Sequence, residues 1–124
     1  GIGEPEDLFM AVEKGCDLFD CVAPTRIARN GQVYTSSGKI NLHNEKFQDE
    51  FAPIDADCGC YTCKNYTKAY LAHLFRADEM FAATLASVHN LYFLINLVKK
   101  MRTEMISGNF EEYKKVWLEK YLGK

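Results

Sequence analysis

Cys58, Cys60 and Cys63 fall within the six residues CGCYTC, a concentration of soft donors that one short loop can wrap around a single metal ion. Zinc suits such thiolates, and its tetrahedral shell needs a fourth ligand. Neutral imidazole is the usual partner of three thiolates, and the sequence has three histidines. His43 precedes the cluster in an expected loop. His73 shares a helical stripe with Tyr66 and Tyr70, where a histidine more often packs or meets a partner than binds metal. His89 lies mid-helix, 26 positions beyond Cys63, so a helical hairpin could fold back and present it to the loop. Spacing alone leaves the choice open.

Other chemistries fit less well. Three thiols so close together are hard to explain as incidental. An iron–sulfur cluster would have to draw on Cys16 and Cys21, which belong to a different segment. His43-Asn44-Glu45 ahead of Cys60-Tyr61-Thr62-Cys63 repeats the order of a zinc deaminase signature. In that pattern, however, Gly59 stands where proline is expected and Cys58 has no role. A site closed by four protein ligands leaves no position for water, so its role is structural.

Asp20 is a second candidate, a carboxylate inside the apolar run DLFDCV. Buried there, it must be solvated, paired or used. Strand ends in parallel α/β folds point toward active sites, which makes a functional carboxylate plausible; hydrogen bonding to loop amides is the plain alternative. Just beyond it, PTRIARNG places Arg26 and Arg29 on an expected Pro- and Gly-bounded loop. Arginine forks match phosphates and base edges, although loop arginines are also ordinary solvated surface.

The elements that must position these groups begin with a helix over Pro5 to Lys14, where proline suits the first turn and Gly15 ends the segment. Asp17 to Val22 reads as a buried strand between Gly15 and Pro24, and helix followed by strand is an α/β rhythm. QVYT and KINL flank Ser36, Ser37 and Gly38 as a small hairpin. Past the cysteines the pattern is helical. One helix begins near Thr67 with Leu71, Leu74 and Phe75 on one face. A second covers Glu79 to Ser107, with a bend expected near Thr84 to Val88, an apolar stripe of Leu91, Leu94, Ile95, Val98, Met101 and Met105, and Gly108 as its stop. Asn109 and Glu112 match a capping box for a last helix. One strand and one hairpin cannot close a sheet, so the chain reads as a piece of a larger α/β domain.

With 124 residues and 48 % hydrophobic content, one domain or part of one is expected, and a net charge of -2 argues against a polybasic nucleic-acid binder by composition. The longest apolar run, Leu91 to Ile95, is far shorter than the ~18 residues that span a bilayer, so no membrane partner is expected. Five cysteines, an odd number, and the lack of an export signal fit a reducing, cytoplasmic setting. The sequon at Asn65 is accordingly read as unmodified.

Together these residues resemble the C-terminal part of the tRNA-guanine transglycosylase, or queuine tRNA-ribosyltransferase, family. The matching pieces are the initial GIG, GCDLFDCVAPTRIARNGQVYTSSG, CGCYTCKNYTKAYLAHLFRADE and SVHNL. The resemblance implies a fragment of a (β/α)8 barrel with a zinc-binding subdomain. Residues 1–24 would supply its seventh helix and eighth strand, 25–66 the tRNA-contacting loop, hairpin and zinc loop, and 67–124 the C-terminal helices including the histidine zinc ligand. It implies Zn2+ held by Cys58, Cys60, Cys63 and His89, with Asp20 as nucleophile and Arg26 and Arg29 gripping the anticodon loop. It further implies exchange of a wobble guanine for a deazaguanine base, and a dimer face at Tyr66, Tyr70 and His73. The fragment alone is expected to be inactive. A non-catalytic zinc-binding subunit paired with an active chain is the alternative reading.

Overall fold

The computed structural model describes residues 1–123. Among the described residues, six helices are arranged around a two-stranded hairpin: α1 (Pro5–Glu13), α2 (Ala23–Arg29), β1 (Gln32–Thr35), β2 (Gly38–Asn41), α3 (Tyr61–Asn65), α4 (Lys68–Arg76), α5 (Met80–Ile106) and α6 (Phe110–Leu122), with one 3-10 turn at Glu45–Phe47. α5 is the spine. Its 27 residues span about 40 Å at helical rise, long enough to touch both core clusters.

The first cluster joins Leu71, Ala72, Leu74 and Phe75 of α4 to Val33, Leu42 and Phe47, against Ala82, Leu85 and Ala86 of α5. The second joins Leu8 and Phe9 of α1 to Leu94, Leu97 and Met101 of α5 and Phe110 of α6. Phe9 anchors it, with ring centroids 5.2 Å from Trp117, 5.7 Å from Tyr113 and 6.1 Å from Phe110. Such clustered rings add to the area they remove from water.

α5 is apolar around most of its circumference, so periodicity alone misplaces its inner face. The buried stripe is Ala82, Leu85, Ala86, His89, Asn90, Leu94, Leu97 and Met101, whereas Leu91, Ile95 and Met105 of the expected stripe are exposed. The helix continues without interruption through Thr84–Val88. By length and composition it could also cross a membrane. Its central His89 and Asn90 are instead fully buried and hydrogen-bonded to the hairpin, as befits a core helix.

Three expectations are corrected. Asp17 to Val22 is irregular rather than a strand, because among the described residues the only sheet is the β1–β2 hairpin and nothing offers it a ladder. The eighth barrel strand, and the barrel itself, are therefore absent from the elements seen here. PTRIAR is helix α2, not loop: proline occupies its first turn, and Gly31 (φ +85°) ends it. The capping box does not form. After Gly108 (φ +81°) the Asn109 amide donates to the Glu104 carbonyl (2.8 Å), so Glu112 has no free N–H to reach, and the Asn109 side chain makes no cap bond.

In the hairpin, Gln32 pairs with Asn41, Val33 with Ile40, Tyr34 with Lys39 and Thr35 with Gly38. The Leu42 amide donates to the Gly31 carbonyl (2.8 Å). Antiparallel alternation then turns the backbone groups of Gln32 and Tyr34 away from β2, toward α5.

Candidate metal centre

The zinc loop is organised before any ion is considered. Asp55 is buried and works at three points: Oδ1 accepts from the Asp57 amide (3.0 Å), Oδ2 from the Ser36 amide (2.8 Å), and its carbonyl from the Cys58 amide (3.1 Å). This turn fixes Cys58 beside the hairpin. Cys60 caps α3, its sulfur accepting from the Cys63 amide (3.3 Å), so one turn of helix sets the Cys60–Cys63 spacing. Thr62, fully buried, donates from Oγ1 to the Leu85 carbonyl (2.7 Å) and docks α3 on α5 one turn ahead of His89. Between the first two cysteines the chain runs close to Tyr92: a Cβ on Gly59 would lie 3.0 Å from its hydroxyl oxygen.

These contacts bring three sulfurs around one ring nitrogen. Sγ of Cys58, Cys60 and Cys63 lie 3.6, 3.5 and 3.3 Å from His89 Nδ1, and all four donor atoms are within 4.8 Å of one another. A tetrahedron with ordinary zinc–sulfur and zinc–nitrogen bonds has sulfur-to-nitrogen edges of about 3.5 Å. The donor set fits zinc in kind and in spacing. The other ring nitrogen, Nε2, contacts the Tyr34 carbonyl (2.6 Å). That oxygen can only accept, so Nε2 carries the hydrogen and Nδ1 offers its lone pair to the ion.

Without an ion, protons are shared among Cys60, Cys63 and His89. Hydrogen bonds with Cys58 and Cys63 push the Cys60 thiol far down, while those with Cys58 and Cys60 push Cys63 up. Burial opposes charge on His89, but hydrogen bonds with Cys58, Cys60 and the Tyr34 carbonyl outweigh it and raise the imidazole to about 9. These directions favour negative charge on Cys60 and a proton on His89, and zinc takes the place of the shared protons.

The remaining candidates lie elsewhere. His43 is exposed against Phe75 (5.3 Å), and Asn44 caps the 3-10 turn, so the deaminase pattern is not assembled. Cys16 and Cys21 stand apart as free thiols, which leaves the iron–sulfur reading without a fourth thiolate. Asp20 is exposed, not buried, and Arg26 and Arg29 are exposed on α2. Tyr66 stacks on Tyr70 (5.3 Å, 14° between planes) and meets Tyr61 and Phe81 edge-on, while His73 is exposed on α4. Sequence reasoning missed Asp55, Thr62 and Asn90. Asn90 did leave a signal, since an asparagine in the interior of a long helix needs a reason.

Residues 1–123 match the sequence profile of queuine tRNA-ribosyltransferase. The chain is 53 % identical to a protein of that name from Caldanaerobacter subterraneus over 99 % of its own length and 33 % of the relative's. It is 52 % identical to one from Streptococcus uberis (98 % and 32 %) and 50 % identical to one from a Thermoanaerobacter species (98 % and 32 %). It thus spans about a third of the length of these curated relatives. A Cys3His centre of zinc dimensions and a match along nearly every residue agree: the chain belongs to the queuine tRNA-ribosyltransferase family.

Proposed function

We propose that this chain is the C-terminal portion of a tRNA-guanine transglycosylase, which replaces the wobble guanine of tRNA anticodons with a 7-deazaguanine base. The match along residues 1–123 carries this reading. Asp20 is the nucleophile. Its carboxylate attacks the ribose anomeric carbon, the bond to guanine breaks with its electron pair leaving on the base, and guanine takes up a proton. An aspartyl–ribose ester then holds the tRNA until the incoming deazaguanine, having lost a proton, displaces Asp20. Two displacements through an oxocarbenium-like transition state retain the anomeric configuration. The exposure of Asp20 supports this, because a nucleophile for a flipped nucleotide must be reachable.

Arg26 and Arg29, exposed on the helix that follows, supply cations for the anticodon loop. The general base and the base-recognition residues belong to the rest of the enzyme, so the portion described here does not catalyse exchange alone. Zinc, when bound by its four protein ligands, supplies a tether rather than an activated water. The stacked Tyr66 and Tyr70, with His73 beyond them, form the face on which two subunits meet, and thiolate ligands suit the cytoplasm. In the full-length enzyme, Asp20→Asn is expected to abolish the covalent tRNA adduct on a denaturing gel. An adduct that persists in this variant would remove Asp20 from its role.

A further inference from the structure

α5 meets the open edge of β1 with two consecutive side chains that divide one residue between them. His89 Nε2 donates to the Tyr34 carbonyl (2.6 Å), and Asn90 Oδ1 accepts from the Tyr34 amide (3.1 Å). The Asn90 amide nitrogen donates to the Gln32 carbonyl (3.1 Å) and to the Pro24 carbonyl (3.0 Å). Asn90 is fully buried, and both of its N–H bonds are used.

The bonds to β1 satisfy an edge that would otherwise be bare. The bond to Pro24 differs. Pro24 lies in the first turn of α2, where a carbonyl already accepts from the amide four residues on, so the added bond fixes placement rather than filling a need. Two residues beyond Pro24 is Arg26, five beyond is Arg29, and four before is Asp20. One side chain next to a metal ligand thus adds a directional bond to the packing that seats the helix presenting both arginines and ending the Asp20 segment.

We propose that Asn90 is a positioning residue for RNA capture. Metal at His89 fixes the register of α5 against β1, and Asn90 transmits that register to α2, so the ion sets where Arg26 and Arg29 stand. This rests on the transglycosylase reading of Asp20, Arg26 and Arg29. It predicts that Asn90 acts on substrate binding without contacting the metal or the reacting atoms.

The test uses the full-length enzyme. Asn90→Asp keeps the acceptor for Tyr34 but sets an oxygen against the carbonyls of Pro24 and Gln32. The KM for tRNA should rise about tenfold while kcat changes by less than about threefold, with one zinc per chain retained. An unchanged KM in a zinc-replete variant would overturn the proposal. A second arm needs no variant: zinc is removed from the wild-type enzyme by a chelator and amide exchange is followed. Residues 26–31 should lose protection well ahead of α6; protection that is kept, or lost only in step with α6, also overturns it. This arm decides alone where Asn90→Asp does not fold. Loss of the adduct in Asp20→Asn combined with a normal KM in Asn90→Asp would sink only the positioning role. An adduct that survives Asp20→Asn would sink the underlying reading instead.

Discussion

The metal centre and the Asp20 segment are both rich in chemistry, yet the chain treats them in opposite ways. At the centre, Cys60 and His89 are buried, and loop, helix and hairpin each supply bonds that hold the donors in place. Asp17 to Val22 has no ladder, and Leu18 is 87 % exposed. The difference is one of partners. A Cys3His cluster closes through contacts made within a single subdomain, whereas a strand needs neighbouring strands to satisfy its backbone, and the chain spans only about a third of its relatives. A metal centre can therefore be complete within this chain while the Asp20 segment lacks the partners a strand needs.

Stripping the metal is the harshest challenge to this contrast. Structural zinc contributes to folding directly, so chelation or Cys60→Ser should cost more than about 5 kcal/mol and lower the melting temperature by at least about 15 °C. Near-UV circular dichroism with and without chelator would show it. Retention of a sharp, unshifted melt would mean that the centre is no more essential than the Asp20 segment.

Acidity offers a finer probe of the same region. In the ion-free fold His89 is raised from 6.5 to about 9, so its proton stabilises that form fully below about 6.5 and progressively less as pH rises through 9. Zinc must displace that proton and those of the remaining thiols. Affinity should accordingly climb at least about tenfold per pH unit between pH 6 and 8. Calorimetry in buffers of different ionisation heat would count the protons released, and a count of zero would refute the shared-proton description.

The smallest effect is expected at the other end of the comparison. Leu18→Ser, at an exposed position, should shift the stability of this chain by less than about 0.5 kcal/mol. The same change in a chain of the relatives' full length should cost about 2 kcal/mol or more if the segment is a buried barrel strand there. Equal, negligible costs in both would show that the segment is irregular in its own right.

Much of the helical frame was legible from the residues. The limits of α1 and α5 follow from proline, glycine and apolar spacing, and they hold to within a residue or two. The inner face of α5 was not legible, because a helix apolar on most sides gives periodicity nothing to choose between. For α2, two arginines between proline and glycine looked like a loop; seven residues are too few for a pattern, and packing against α5 decided the matter.

Residue identity by itself determined that this chain can bind a soft metal ion, because three thiols in six residues admit few other uses. The family resemblance points to His89 where spacing leaves the imidazole open; the folded arrangement brings that ring to the sulfurs and decides which of its nitrogens faces the ion. Spacing along the chain says only what can meet, whereas the Tyr34 carbonyl, the Thr62 hydroxyl and the Asn90 amide fix what does, through hydrogen bonds between residues more than twenty positions apart.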